Sequence, residues 1–438
     1  LLHAYTISEA ISDHNVLGFK VDFQTTIDEK QIKQHYLPEF YKEQHPKWTQ
    51  DEIQQKIDNL TVDDIDDEIE PSFYDENIQH IKLVVDDIFT NWRNRSCDGK
   101  YNAMLTTHVG GNRASTPMAM MYYNEFKRVN EEKRRNGEKT LKVAVTFSLN
   151  TTNNDTMLET NQGLYEAIMD YNQEFGTSFG LDTVDEYKQD LISRLDKTAS
   201  DRNYLDIVIV VDQLLTGFDA PQLNTLYVDR ILRGANLIQA YSRTNRIDDS
   251  RNHTNDKHHT KPWGRIINYR WPTDNENLMN DALAIYTNKD SANLSDEEKK
   301  EENQKSGVIA KSYNEEIEEA RSQLEIIEDI TDNFKQPVPK SEKAKKLLAV
   351  KLNKLNASIS RLKQYEPEII DGKMEGFDYE NPTKIFADLG RSMDLEDKIK
   401  MTTNLLKQDL AKEQNVSVHE IDLKMIHIKD VEVNYDYL

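Results

Sequence analysis

Apolar positions change their spacing several times along this chain, and each change marks a predicted element. After a short amphipathic opening, alternation from Val16 to Phe23 (VLGFKVDF) predicts a strand. From about Asp28 to Pro71 the apolar residues thin out among Gln, Asp and Glu. Short helices are predicted there over Ile32–Gln44 and Thr49–Asn59, so residues 28–76 read as an acidic helical insertion. The pattern then alternates between two periods. Ile78, Ile81, Val84, Val85, Ile88 and Phe89 recur at helical spacing over Asn77–Arg93, and strand Tyr101–Thr107 follows. Helix Thr116–Asn130 takes Thr116 as its N-cap and Pro117 as its first residue. Strand Lys142–Ser148, a polar helical section Asn161–Thr198, strands Leu205–Val211 and Thr225–Val228, helix Gly234–Thr244 and strand Gly264–Tyr269 complete the series. Near-continuous apolar strands separated by helices predict an α/β fold, a doubly wound parallel sheet covered on both faces.

Beyond Trp271-Pro272 the strand signals stop. Helix Glu276–Thr287, a charged connection Asn293–Asn303, and long helices Ser306–Phe334 and Ser341–Tyr365 are predicted, the last two separated by Gln336-Pro337-Val338-Pro339. Ile317, Ala320, Leu324, Ile327 and Ile330 form one stripe. Leu347, Leu348, Leu355 and Ile359 form another, with Lys351 at its edge. Helix Asp394–Gln414 and a strand-like tail Lys424–Val433 close the chain. Two domains are expected: an α/β domain over 1–287 and a mostly helical one over 288–438. No fixed-period repeat argues for a solenoid.

Composition narrows the classes. The net charge of -23 argues against a general nucleic-acid coat, though an acidic exterior leaves room for a basic channel. No stretch has the ~20 apolar residues of a membrane helix. One cysteine, Cys97, allows no intrachain disulfide and fits a reducing cytoplasm. His258-His259 lies in a polar run and lacks zinc-ligand spacing. The chain begins with Leu inside a structured-looking segment, which reads as part of a longer protein.

The chemistry concentrates between Val211 and Arg246. A very apolar strand, LDIVIVVD, ends in the loop Leu215-Thr216-Gly217-Phe218-Asp219. In open α/β sheets ligands bind at that carboxyl edge. Gly217 permits close backbone approach, Thr216 offers a hydroxyl and an amide, and Asp219 can hold an arginine. Farther on, Gln239, Arg243 and Arg246 make the pattern Q-x-x-x-R-x-x-R. At a helix end Arg243 and Arg246 would share one face, with Gln239 one turn earlier. Two guanidinium groups aimed into one cleft suit phosphoryl transfer, which depends on placing positive charge. On spacing alone the same pattern also describes a solvated surface helix, and the loop an ordinary turn.

Taken in order, LLTGFDAP and LIQAYSRTNR resemble motifs V and VI of superfamily 2 helicases, in the wording of the restriction (R) subunit of type I restriction–modification enzymes. HAYTISEAISDHNVLGFKVDF, YNAMLTT with MMYYNEFKR and LKVAVTFS, and GRIINYR resemble other parts of that subunit's second motor domain, so the likeness covers about Leu1 to Thr287. It implies a second RecA-like domain followed by a helical domain that docks on the modification and specificity subunits. It implies ATP and Mg2+ as cofactors, held mainly by a first motor domain, and double-stranded DNA as the substrate. Arg246 takes the arginine-finger position and Arg243 that of its companion, while Gln239 opens motif VI. Thr216 and Gly217 take positions contacting the DNA backbone, with Gly217 and Asp219 linking it to nucleotide. Thr106 and Thr107 would face a DNA phosphate. The following loop, with His108, Gly110, Gly111 and Arg113, is either a phosphate cradle or a long turn. The basic run Lys127, Arg128, Lys133, Arg134 and Arg135 is either a solvated helix end or a DNA contact. No G-x-x-x-x-G-K-[ST] motif, D-E-x-H motif or nuclease motif occurs, so the chain by itself is expected to be inactive. Other readings are a non-catalytic docking module and half of a different superfamily 2 ATPase acting on RNA.

Overall fold

The computed structural model describes residues 6–13, 15–24, 26, 32–110, 114–147, 155–215, 220–248, 261–287, 294–370, 372–426 and 428. The chain divides into two compact units. The first comprises Leu1–Trp92, Gly99–Ile247 and Gly264–Ala310, and the second Arg93–Asp98, Asp248–Trp263 and Lys311–Leu438.

The first unit is built on six parallel strands: β1 (Phe19–Phe23), β2 (Asn102–Thr107), β3 (Val143–Thr146), β4 (Ile207–Val210), β5 (Leu223–Asp229) and β6 (Gly264–Asn268), in the order β1-β6-β5-β2-β4-β3. β2, β4, β5 and β6 are buried at every position, which is why their centres run apolar instead of alternating and their polar residues are themselves buried. The connections from β1 to β2 and from β2 to β3 advance across the sheet, and those from β3 to β6 return. Right-handed crossovers therefore require helices on both faces, and the expected α/β class holds. The chain leaves β2 in the opposite sense to both of its neighbours, β4 and β5. The carboxyl end of β2 thus lies at a topological switch point, where open sheets form a crevice.

Local signals set the helices. Ile81, Val84, Val85 and Ile88 of helix Ile78–Arg95, with Met118, Ala119, Tyr122 and Phe126 of helix Thr116–Arg135, enter the sheet core. Thr116 is the first residue of its helix, and Ser115 occupies the N-cap. The Ser115 hydroxyl instead accepts the Val109 backbone N–H at 2.9 Å. The insertion contains the two expected helical runs, Ile32–Gln44 (a π turn leading into Leu37–Gln44) and Gln50–Asp58, and a third, Val62–Glu68. Capping boxes at Thr49/Glu52 and Thr61/Asp64 start the last two. These helices share their own small core: Leu37, Tyr41, Ile53, Ile57, Ile65 and Ile69, with Trp271 from beyond β6.

Residues 293–303, expected as a connection, begin a helix at Asp296–Lys305, because Ser295 and Glu298 form a capping box. That helix and the segment through Ala310 fall in the first unit, past the boundary the hydropathy pattern suggested. Phe19 N–H donates to Val308 O and Ala310 N–H to Phe19 O, at 2.7 Å each, so the free edge of β1 is covered.

In the second unit, helix Tyr313–Ile330 packs on helix Glu342–Leu362 through Ile317, Ala320, Leu324 and Ile327 against Leu348, Leu352, Leu355 and Ile359. Leu347, expected in that stripe, is exposed. Helix Leu395–Gln414 packs on helix Glu342–Leu362, tied by Lys345 to Glu413 at 2.5 Å. A hairpin, Glu368–Ile370 with Lys373–Glu375, has no counterpart in the sequence reading. The expected tail strand does not form over 424–426; most of the remaining tail lies outside the described residues.

Candidate nucleotide and DNA interface

The helix after β5 is Gly234–Tyr241, with Ser242 as C-cap. Arg243 and Arg246 therefore do not share a helix face as their spacing suggested. The physical reason is local. The Thr244 hydroxyl donates to the Tyr241 carbonyl at 2.8 Å, and Asn245 is drawn into extended pairing, its carbonyl accepting Leu17 N–H at 2.8 Å and its side-chain amide donating to Leu17 O at 3.1 Å. Gly264, opening β6, sits directly beneath this turn. A Cβ there would lie 2.9 Å from the Thr244 carbonyl carbon and against its hydroxyl. Gln239 is exposed on the helix, and Arg243 and Arg246 are half-buried just after it.

Arg243 Nε donates to Leu215 O at 3.0 Å. The two sequence clusters are thereby joined, since Leu215 leads into Thr216-Gly217-Phe218-Asp219. Those four residues lie outside the described ones, as do Gly111, Arg113 and His258-His259. Leu214, immediately before, holds φ at 65°, a left-handed conformation that costs a non-glycine residue energy. Asp212 at the same strand end accepts Arg230 at 2.8 Å, and Arg230 also donates to Val211 O at 2.7 Å.

Thr106 and Thr107 correct another expectation. Both are fully buried. Thr106 donates to Val211 O at 3.0 Å and Thr107 to the Asp229 carboxylate at 3.1 Å, so neither faces solvent or a phosphate. Being the last two residues of a strand buried on both faces, they turn inward. Solvent access begins at His108, which is half-buried and 3.0 Å from the Ser115 hydroxyl. Burial first, and then the Arg230 charge, push its imidazole below the usual 6.5.

The basic run on helix Thr116–Arg135 is largely neutralised in place. Lys127 pairs with Asp170, Arg128 with Glu125 and Glu132, Lys133 with Glu138, and Arg135 with Glu131. A solvated helix end, one of the two readings its sequence allowed, accounts for these contacts.

Sequence reasoning missed a buried polar hub at the carboxyl edge. Asp229, the last residue of β5, is fully buried. It accepts Arg270 Nε at 2.5 Å, Thr107 at 3.1 Å and Tyr122 OH at 2.8 Å, and lies 2.8 Å from His80 Nε2. Burial alone would raise its pKa; Arg270 and then His80 outweigh that and hold it well below the ordinary 3.8. Arg270 also reaches Asp75 of the insertion at 2.6 Å. The available signal was a charged residue closing each apolar strand, Asp229 in LYVDR and Arg270 in NYRW.

Residues 99–271 match the family model described as type I restriction enzyme subunit R domain 3. Among curated relatives, the endonuclease subunit of type I restriction enzyme SauCOLORF180P from Staphylococcus aureus (strain COL) is 29% identical over 446 residues, covering 100% of this chain and 40% of that protein. The SauMRSORF196P endonuclease subunit from strain MRSA252 is 34% identical over 290 residues, 65% of this chain and 26% of the relative. This chain thus spans well under half the length of either. Among solved structures, the ATP-dependent type ISP restriction-modification enzyme LlaBIII bound to DNA aligns with 93% of this chain and 27% of its own, at 12% identity and a TM-score of 0.27.

Proposed function

Because this chain is related to the endonuclease subunits of type I restriction enzymes, we propose that it is the second motor half of such a subunit, a RecA-like domain acting in ATP-dependent translocation of double-stranded DNA coupled to cleavage. The observation that carries this reading is the Arg243–Leu215 hydrogen bond, which ties the arginine segment to the Thr216–Asp219 loop. In this reading the bond holds Arg243, three residues before the finger position Arg246, to Leu215 at the start of the DNA-facing loop. The donor set of Gln239, Arg243 and Arg246, a carboxamide and two guanidinium groups, fits phosphoryl oxygens. In this reading Arg246 stabilises charge on the transferred phosphoryl group and Arg243 holds the loop while facing the same anion. Gln239, exposed one turn earlier, bonds a phosphate oxygen or water. Mg2+ and most nucleotide contacts fall to the first motor domain. Thr216 and Gly217 contact the DNA backbone, and Asp219 orders that loop. Thr106 and Thr107 act from beneath as supports. The second unit docks on the modification and specificity subunits.

The test is Arg246→Ala in the intact restriction complex. ATP turnover should fall by roughly 10³-fold or more, the range of arginine-finger removals, while the subunits still co-purify. Retained turnover would reject the assignment.

A further inference from the structure

Arg243 and Arg246 lie beyond the last turn of helix Gly234–Tyr241, so helical geometry does not place them. A segment distant in sequence does. Leu17–Phe19, which leads into β1, holds the arginine turn at both of its ends. At the near end the Tyr241 ring packs on Phe19, with centroids 5.8 Å apart. At the far end Asn245, only 3% exposed, brackets a single residue. Its carbonyl accepts Leu17 N–H at 2.8 Å, and its side-chain amide donates to Leu17 O at 3.1 Å. Between the two ends, the buried Thr244 hydroxyl donates to Tyr241 O at 2.8 Å. The holding segment is itself fixed from two sides. Gly264 N–H, at the start of β6, donates to Gly18 O at 3.0 Å. Phe19 N–H donates to Val308 O and its carbonyl accepts Ala310 N–H, at 2.7 Å each, and a Cβ on Gly18 would lie 2.5 Å from Gly307 O. Leu17 is thus an anchor with little slack.

We propose that Asn245 is a positioning residue for ATP turnover: through its two bonds to Leu17 it sets the backbone from which Arg246 reaches the transferred phosphoryl group. The inference rests on the motor reading given above and adds to it the group that aims the finger. Three observations support it. The carbonyl that accepts Leu17 N–H belongs to the peptide unit joining Asn245 to Arg246, and that unit is planar. The bond therefore orients the plane from which the Arg246 side chain departs. Next, the Asn245 side chain is a carboxamide where the contact calls for a donor. It meets a carbonyl oxygen, Leu17 O, which a carboxylate of the same shape would repel. Finally, an arginine contributes to phosphoryl transfer through placement of its charge, and a shift of about 1 Å in a placed group can cost on the order of a hundredfold in rate. A long side chain on a turn outside regular structure meets that demand only if the turn is anchored, and Leu17 is the anchor that the fold supplies.

Asn245→Leu and Asn245→Gln separate the bond from the shape of the site. Leucine and glutamine are close in volume and crowd the turn alike, but only glutamine carries an amide donor. In the intact restriction complex, Asn245→Leu should lower maximal ATP turnover about tenfold. The KM for ATP and the concentration of double-stranded DNA that half-saturates turnover should hold, because a finger arginine acts on the transition state. Asn245→Gln should recover most of the loss while melting at the same temperature as Asn245→Leu. Asn245→Ala, which removes the donor without crowding, should show the same tenfold loss, so the result does not hang on the folding of one variant. In an Arg246→Ala background, Asn245→Leu should slow turnover no further, as expected of a residue that acts through Arg246. Equal turnover in the leucine and glutamine variants would overturn the proposal, since the donor would then be immaterial. A further tenfold loss in the double variant would overturn it too, as the mark of a purely structural role. Slow turnover in Arg246→Ala beside normal turnover in Asn245→Leu and Asn245→Ala would reject the positioning role alone. Normal turnover in Arg246→Ala would reject the motor reading, and this proposal with it.

Discussion

Asp229 is an ionised carboxylate in the driest part of the first unit, and its neighbours keep it so. Because Arg270 and His80 hold its pKa below 3.8 in the folded state, its contribution to stability is fully present above the unfolded value. It is lost as pH falls through the folded one. Acid unfolding of the chain should therefore steepen below roughly pH 4, and Asp229→Asn should flatten that limb of a pH titration followed by circular dichroism. The same substitution should cost about 1–3 kcal/mol at neutral pH, since it weakens the buried charge-assisted hydrogen bonds that Arg270 and Tyr122 make to Asp229. Denaturant melts would read this directly, and a loss below about 1 kcal/mol would contradict the hub's assigned role. The candidate arginines behave differently. Half-buried and beyond the helix, Arg243 can be shortened with little cost to folding. Under the proposed motor role, Arg243→Ala should uncouple ATP turnover from DNA without shifting the melting temperature, because it removes the bond to Leu215.

At the level of elements, the turn over Gly264 has the least tolerance. Gly264→Ala places a methyl group against the Thr244 backbone. It should destabilise the first unit by about 1–3 kcal/mol and reduce ATP turnover of the intact complex by displacing the Arg243–Arg246 segment. Normal turnover with a normal melt would show that this turn has slack. The elements themselves were largely legible. β4 declared itself through an unbroken apolar run, β2, β5 and β6 through short apolar centres at 103–105, 226–228 and 266–267, and helix Ile78–Arg95 through its 3.6-residue stripe. What stayed hidden depended on partners distant in sequence. The family resemblance implies Thr106 and Thr107 as contacts to a DNA phosphate, but Val211 and Asp229 claim their hydroxyls. The helix carrying Gln239 looked longer than it is, because its termination is imposed by pairing with Leu17, more than two hundred residues away in the chain. Helix Asp296–Lys305 was missed for the opposite reason: its wholly polar sequence has no apolar stripe, and only Ser295 and Glu298 announce it.

For the whole molecule, the longest segment of the second unit, Lys311–Leu438, gives the docking proposal one stretch to remove. A subunit lacking 311–438 should keep the six-stranded sheet and lose co-purification with the modification subunit; full retention would reject docking through the second unit. The acidic balance of -23 further predicts that DNA engagement depends on a few local cations, so its salt dependence should be shallow for a protein of this size. The Asp229 hub bears on something else, the order in which the chain acquires its shape during synthesis. Its members are drawn from positions 75, 80, 107, 122, 229 and 270. Until Arg270 has left the ribosome, five of the six parties are present and the carboxylate has no strong counter-charge. The nascent sheet is thus penalised for closing early, and β6 arrives together with the residue that makes closure favourable. A released chain ending shortly before residue 264 should remain open to chaperones and proteases, whereas one ending after 287 should not.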